Sequence, residues 1–188
     1  MHYNFTLSVD EKIDLVQPSL ENAKDLYAVL DNDREHLRKF LNYVDDTNEL
    51  ADEENYFRIK LAGYAKGTDR LYLIAYESKI VGAIDLHFID AANHSAEIGY
   101  WINSAYIGKG IAPKCVQKLC QIGFETLALN RITLVADTEN KGSNRVAEKC
   151  GFMLEGTLKQ SKLIRGEFRD FNTYALLKSE FAAIHGPH

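Results

Sequence analysis

The chain has 188 residues, 46% apolar and 26% charged, with a formal net charge of −5. That length supports one domain, 1–188, with a substantial core, rather than two. No apolar run approaches the roughly 18 residues that span a bilayer, and the acidity argues against a protein that binds nucleic acid by neutralising phosphates.

Its first residues, MHYNFTLSVDEK, carry neither the basic stretch nor the apolar core of a signal peptide, so a cytoplasmic protein is expected. Lys12 to Gln17 alternates apolar and polar residues, as a half-buried strand does. Pro18-Ser19 opens a helix with Leu20, Ala23, Leu26, Tyr27 and Leu30 at helical spacing. A second helix is predicted over Arg34 to Leu41 and a third over Leu50 to Lys66. Within Asp45 to Glu54, six of ten residues are acidic. They read either as a solvated helix start, where acids suit the positive end of the dipole, or as a patch that attracts a basic substrate.

Strands are predicted over Arg70 to Tyr76, Ile80 to Phe88 and Ser95 to Ile102, linked by the short polar turns Glu77-Ser78-Lys79 and Ala92-Asn93-His94, as an antiparallel meander. Ile111 to Leu129 follows as a long amphipathic helix, with Pro113 tolerated in its first turn. Arg131 to Ala136 reads as a buried strand, and Ser143 to Lys149 as a short helix closed by Gly151. Two strands, Phe152 to Lys159 and Phe168 to Leu177, complete the chain. The pattern is a mixed sheet with helices on its faces, α/β or α+β.

Cys115 and Cys120 fall in a helical stretch and read as buried thiols; a nucleophilic Cys150 is the weaker alternative, since only the C-terminal histidines lie near it. Six histidines show no metal-ligand spacing such as HExxH, so no metal is expected, and EDTA should leave activity unchanged.

The segment YWINSAYIGKGIA, Tyr100 to Ala112, carries the chemistry. A strand, a turn containing Gly108 and Gly110, and a helix N-terminus make an anion site, because first-turn N–H groups are unpaired and the dipole is positive there. Lys109 adds a charge or turns to solvent. The Walker A pattern is absent: Asn103 stands where its first glycine belongs and Gly110 follows Lys109. The dinucleotide fingerprint fails too, with Pro113 at its third glycine and a meander before the loop.

With EIGYWINSAYIGKGIA and, further on, NKGSNRVAEKCGF, the chain resembles the GNAT family of acetyl-CoA-dependent N-acetyltransferases. DREHLRKFLNYVD adds a likeness to the branch that acetylates ribosomal-protein N-termini. The resemblance implies a mostly antiparallel central sheet with one splayed parallel strand pair, Ser95–Ile102 and Arg131–Ala136. It implies that Ile107, Gly108, Lys109, Gly110, Ile111 and Ala112 hold the pyrophosphate of acetyl-CoA through backbone N–H groups. The pantetheine arm would lie along Tyr100, Trp101 and Ile102, with Asn140 and Ser143 contributing from the next helix. The sequence departs from the family in two places. Ala105 stands where Arg or Gln is frequent, and Ala147 where many members carry a tyrosine that protonates the leaving thiolate.

Acetyl transfer needs a neutral amine, a polarised carbonyl and a tolerable leaving group. An α-amine has a pKa near 8. Glu97, on a strand face with Gly99 and Trp101, is the candidate base, directly or through water; an exposed strand carboxylate is its bland counterpart. Ser143 is the nearest hydroxyl for the thiolate, or the cap of its helix. Asp85 and His87 face one way and either orient an amine, relay a proton, or form an idle surface pair. The acceptor is expected to be a basic protein N-terminus or a small cationic amine such as a polyamine, an aminoglycoside or an amino acid. A non-catalytic acetyl-CoA sensor is the reading outside enzymology. No membrane or nucleic-acid partner is expected, and a homodimer is compatible with the family resemblance.

Overall fold

The computed structural model describes residues 5–186. The chain runs β1 (Thr6–Ser8), β2 (Ile13–Val16), α1 (Ala23–Asp31), α2 (Arg34–Leu37) and α3 (Leu50–Lys66). Then follow β3 (Arg70–Tyr76), β4 (Lys79–Asp90), β5 (Ser95–Ile102) and α4 (Ile111–Gln121). The last elements are β6 (Arg131–Asp137), α5 (Lys141–Lys149), β7 (Met153–Ile164), β8 (Glu167–Leu177) and α6 (Lys178–His185). The strands form one sheet in the order β1-β2-β3-β4-β5-β6-β8-β7, antiparallel throughout except for β5 beside β6.

Alternation along the strands divides the core between two faces. Ile84, Leu86, Ile98, Ile132 and Leu134 pack under α4, whose Ile111, Cys115, Val116, Leu119 and Cys120 form one buried stripe, and under Ala147 of α5. Val16, Leu71, Leu73, Ala75 and Ala83 pack on the other face against Ala23, Leu26 and Phe57 of α1 and α3. No helix among the described residues is long and apolar enough to cross a membrane.

Predicted bounds for α3, β3 and β5 agree with the structure, and other elements differ for identifiable reasons. The second helix stops at Leu37, not Leu41, because the chain tightens there: Phe40 N–H donates to the Leu37 carbonyl three residues back, at 3.1 Å. The helix predicted to Leu129 ends at Gln121 and continues as a π-turn over Ile122–Thr126, which keeps Phe124 in the core. Its apolar pattern persists because Phe124 and Leu129 join the same cluster. The short helix begins at Lys141, two residues early, since Asn140 rather than Ser143 caps it. β7 and β8 extend into a long hairpin whose turn residues Arg165 and Gly166 both have positive φ, 49° and 83°. The sequence pattern announces neither β1 nor α6. β1 is three exposed residues, and α6 begins after Leu177, a residue type that signals no cap.

Candidate active site

Only Ser95–Ile98 of β5 pair with β6, against Arg131–Leu134. Beyond that point the two strands part. Gly99–Ile102 remain paired only with β4, and Val135–Asp137 only with β8. The parting leaves a length of β5 backbone edge unpaired and opens a cavity of about 570 Å³.

One wall of this cavity is Tyr100, Trp101 and Ile102. Its floor is the loop through Ile107, Gly108 and Gly110 and the start of α4 at Ile111, Ala112 and Pro113. Gly108 and Gly110 have φ of +83° and +74°, and a Cβ at either would meet nothing within 4 Å. Left-handed backbone, not crowding, is what requires glycine here. The loop's entry is tied down by Asp33 between α1 and α2, whose carboxylate accepts the Ser104 N–H at 2.6 Å and hydroxyl at 2.7 Å. Ala105 lies in the single turn that follows.

The far wall is α5. Asn140 Oδ1 accepts the Ser143 N–H at 3.0 Å and so caps the helix. Asn140, Lys141, Ser143, Arg145 and Lys149 all line the cavity. The Lys109 ammonium, beside the loop, lies over the rings of Tyr106 and Tyr76, 4.6 Å and 5.4 Å from their centroids. Further cations, Lys141, Arg145 and Lys149, face the cavity from α5. Sequence reading missed them because the packing of α5 against the glycine loop is a tertiary fact. The fit to a nucleotide-bearing thioester is good: N–H groups and a dipole for phosphate, basic side chains opposite, and an unpaired strand edge for an amide-bearing arm.

Tyr100 donates its hydroxyl to Ser143 Oγ at 3.1 Å. Burial pushes the phenol up to about 12, partly offset by that bond, so it stays a donor at neutral pH. Ser143 can therefore aim its own proton into the cavity. Ala147, one turn on, is fully buried and lines nothing. All three cysteines are buried, and burial pushes the Cys150 thiol up to about 12. A thiol so shifted is scarcely ionised near neutrality, which weighs against that alternative.

A second cavity of about 230 Å³ opens on the α3 side of the sheet and shares Leu41, Tyr100 and Trp101 with the first. Its lining includes Tyr43, Tyr56, Lys60, Asp85 and His87. The β4–β5 register sets His87 opposite Glu97 and Asp85 opposite Gly99. His87 Nε2 lies 3.4 Å from Glu97 Oε1 and Asp85 is buried, so the two do not form an exposed surface pair. Most of the acidic segment is solvated or caps α3, with Asp52 accepting the N–H groups of Asn48 and Glu49. Glu53 alone turns inward, 4% exposed, and burial pushes its carboxyl up to about 7. Among the described residues no group of three His, Cys, Asp or Glu side chains is arranged to hold a metal.

A family model described as an acetyltransferase (GNAT) domain matches residues 12–153. The ribosomal-protein-serine acetyltransferase of Escherichia coli (strain K12) is 28% identical over 90% of this chain and 95% of its own. YdaF of Bacillus subtilis (strain 168), a candidate ribosomal N-acetyltransferase, is 32% identical over 94% of this chain and 97% of its own. Among solved structures, the microcin C7 self-immunity acetyltransferase MccE in complex with acetyl-CoA and AMP superposes with a TM-score of 0.86. It is 29% identical, covering 90% of this chain and 94% of that one. The parted strands, the glycine loop and these likenesses agree: the chain belongs to the GNAT acetyltransferase family and is an acetyl-CoA-dependent N-acetyltransferase.

Proposed function

We propose that this enzyme acetylates the N-terminal α-amine of a ribosomal protein, with Glu97 receiving the amine's proton. The observation that carries the reading is the second cavity, which shares Leu41, Tyr100 and Trp101 with the first and is lined by Asp85 and His87; Glu97 lines neither cavity but stands 3.4 Å behind His87. Two cavities that share a wall at Leu41, Tyr100 and Trp101 suit a reaction between two substrates. Full-length relatives named for ribosomal acetylation support the choice of acceptor.

Acetyl-CoA supplies the acetyl group and leaves as its thiol. The loop at Gly108–Gly110 and the basic residues of α5 would hold its phosphates. Glu97, with a side chain 28% exposed, has room to reach an amine or an intervening water. An α-amine, with a pKa near 8, asks less of a carboxylate than a lysine-like amine near 10.4. Ser143, backed by Tyr100, offers the departing sulfur a hydrogen bond in place of the tyrosine absent at position 147.

Thiol release from acetyl-CoA tests this, run with ribosomal-protein N-terminal peptides, a polyamine, an aminoglycoside and free amino acids, for the wild type and Glu97→Gln. Turnover on a peptide that falls at least about a hundredfold in the variant is expected. Turnover confined to a small cationic amine overturns the acceptor. Binding of acetyl-CoA with no turnover on any acceptor would make the protein a sensor.

A further inference from the structure

Four charged side chains stand behind Glu97. His87 lies between two carboxylates, with Nδ1 3.2 Å from Asp85 Oδ1 and Nε2 3.4 Å from Glu97 Oε1. The other Asp85 oxygen accepts from Lys60 Nζ at 2.7 Å, and the same ammonium reaches Asp69 Oδ1 at 2.7 Å. Asp85 is thus held from two sides and is only 8% exposed. Gly99 is part of the arrangement. A Cβ there would come 3.1 Å from Asp85 Oδ1 and 3.2 Å from His87 Cε1, so any other residue would press on the pair.

The ring's protonation follows from its contacts. A neutral imidazole carries one N–H and no charge; only imidazolium both keeps the hydrogen bond to Asp85 and forms the 3.4 Å ion pair with Glu97. The charged groups facing it are Asp85 on its own strand, Glu97 from β5, Asp69 at the head of β3 and Lys60 from α3. The buried Glu53 of α3 is on the same side. Three carboxylates against one lysine favour a cationic ring.

We propose that His87, as imidazolium, is a positioning residue that fixes Oε1 of Glu97 and leaves Oε2 to the acceptor amine. The inference rests on the reading of Glu97 as base. Burial alone would lower the imidazole's pKa, but the hydrogen bonds and charges of Asp85 and Glu97 outweigh it and push it up to about 9. Below that pH the ring joins both carboxylates. Above it one N–H is gone and one carboxylate is released. Amine chemistry would otherwise only improve with pH, as the acceptor loses its proton. The clamp therefore gives kcat/KM a falling limb near pH 9.

The test combines pH profiles with NMR of the His87 ring, for the wild type, His87→Gln, Asp85→Asn and Glu97→Gln. The wild type should show the falling limb. His87→Gln should lose about tenfold in kcat at neutral pH and lack that limb, because an amide donates without titrating. Asp85→Asn should move both the limb and the ring titration to lower pH. A limb unchanged in His87→Gln, or a ring that titrates near 6.5 in the wild type, overturns the clamp. Full activity in Glu97→Gln would instead sink the base reading. The ring titration separates the two cases, since the contact with Glu97 requires it to fall in that variant whatever the base is.

Discussion

Glu53 offers a test of the physical reasoning that needs no substrate. The residue sits on α3, 4% exposed, close to the hydroxyls of Tyr43 and Tyr56 and without an ion pair among the described residues. Burial raises its carboxyl from the ordinary 4.5 to about 7. Between those values the folded protein keeps a proton that the unfolded chain has lost, so stability falls as pH rises and levels off above about 7. At about 1.4 kcal/mol for each unit, a rise of about 2.5 costs about 3 kcal/mol. Glu53→Gln removes the titration while keeping the shape. It should match the wild type near pH 4.5, apart from a constant offset from the amide's own hydrogen bonds, and gain about 3 kcal/mol by pH 8. For a chain of this size that is a rise in Tm of about 8 °C. Urea unfolding followed by circular dichroism at half-unit steps of pH would measure it, with both proteins compared at each pH so that all other titrations cancel. A stability difference that does not change with pH would refute the reasoning.

Two further outcomes follow from the acetyl-CoA cavity. Gly110→Ala puts a Cβ on left-handed backbone, which should cost about 1–2 kcal/mol in urea unfolding and weaken CoA binding about tenfold by calorimetry; an unchanged Kd would mean that the loop's shape does not matter to the ligand. Tyr100→Phe removes the donor behind Ser143, so kcat should fall about tenfold with KM for acetyl-CoA within about twofold, and the thiol of bound CoA, read by thiolate absorbance, should titrate at higher pH than in the wild type. An unmoved thiol titration would leave Tyr100 as packing alone.

How far the residues announced this structure depends on the range of the cause. β3, β5 and α3 are legible because their period, turns and caps lie within a few residues. The glycine loop is legible for the same reason, as Gly108 and Gly110 answer a local demand for positive φ. What escaped depends on packing. The basic residues of α5 acquire meaning only once that helix faces the loop, and the seat of Lys109 over Tyr76 and Tyr106 is likewise set by packing. That Asp85 and His87 share a face follows from alternation. Their contact with Glu97 depends on the β4–β5 register, which an irregularity between His87 and Asp90 shifts. Glu53 is one acid among six in sequence and is singled out only by the side of α3 it occupies.

Alternation along β5 gives the site its division of labour. Glu97, Gly99 and Trp101 face α3, while Ile98, Tyr100 and Ile102 face α4 and α5. The proposed proton acceptor and Tyr100, which backs the proposed donor Ser143, are therefore three residues apart on one strand yet on opposite sides of the sheet. Side chains on opposite sides of an intact sheet cannot serve one reacting carbon. They can here because β6 leaves β5 after Ile98, between Glu97 and Tyr100. Continued pairing at Gly99 and beyond would separate amine from thioester even with every side chain in place. The parting of the two strands is thus as much a part of the proposed chemistry as Glu97 itself.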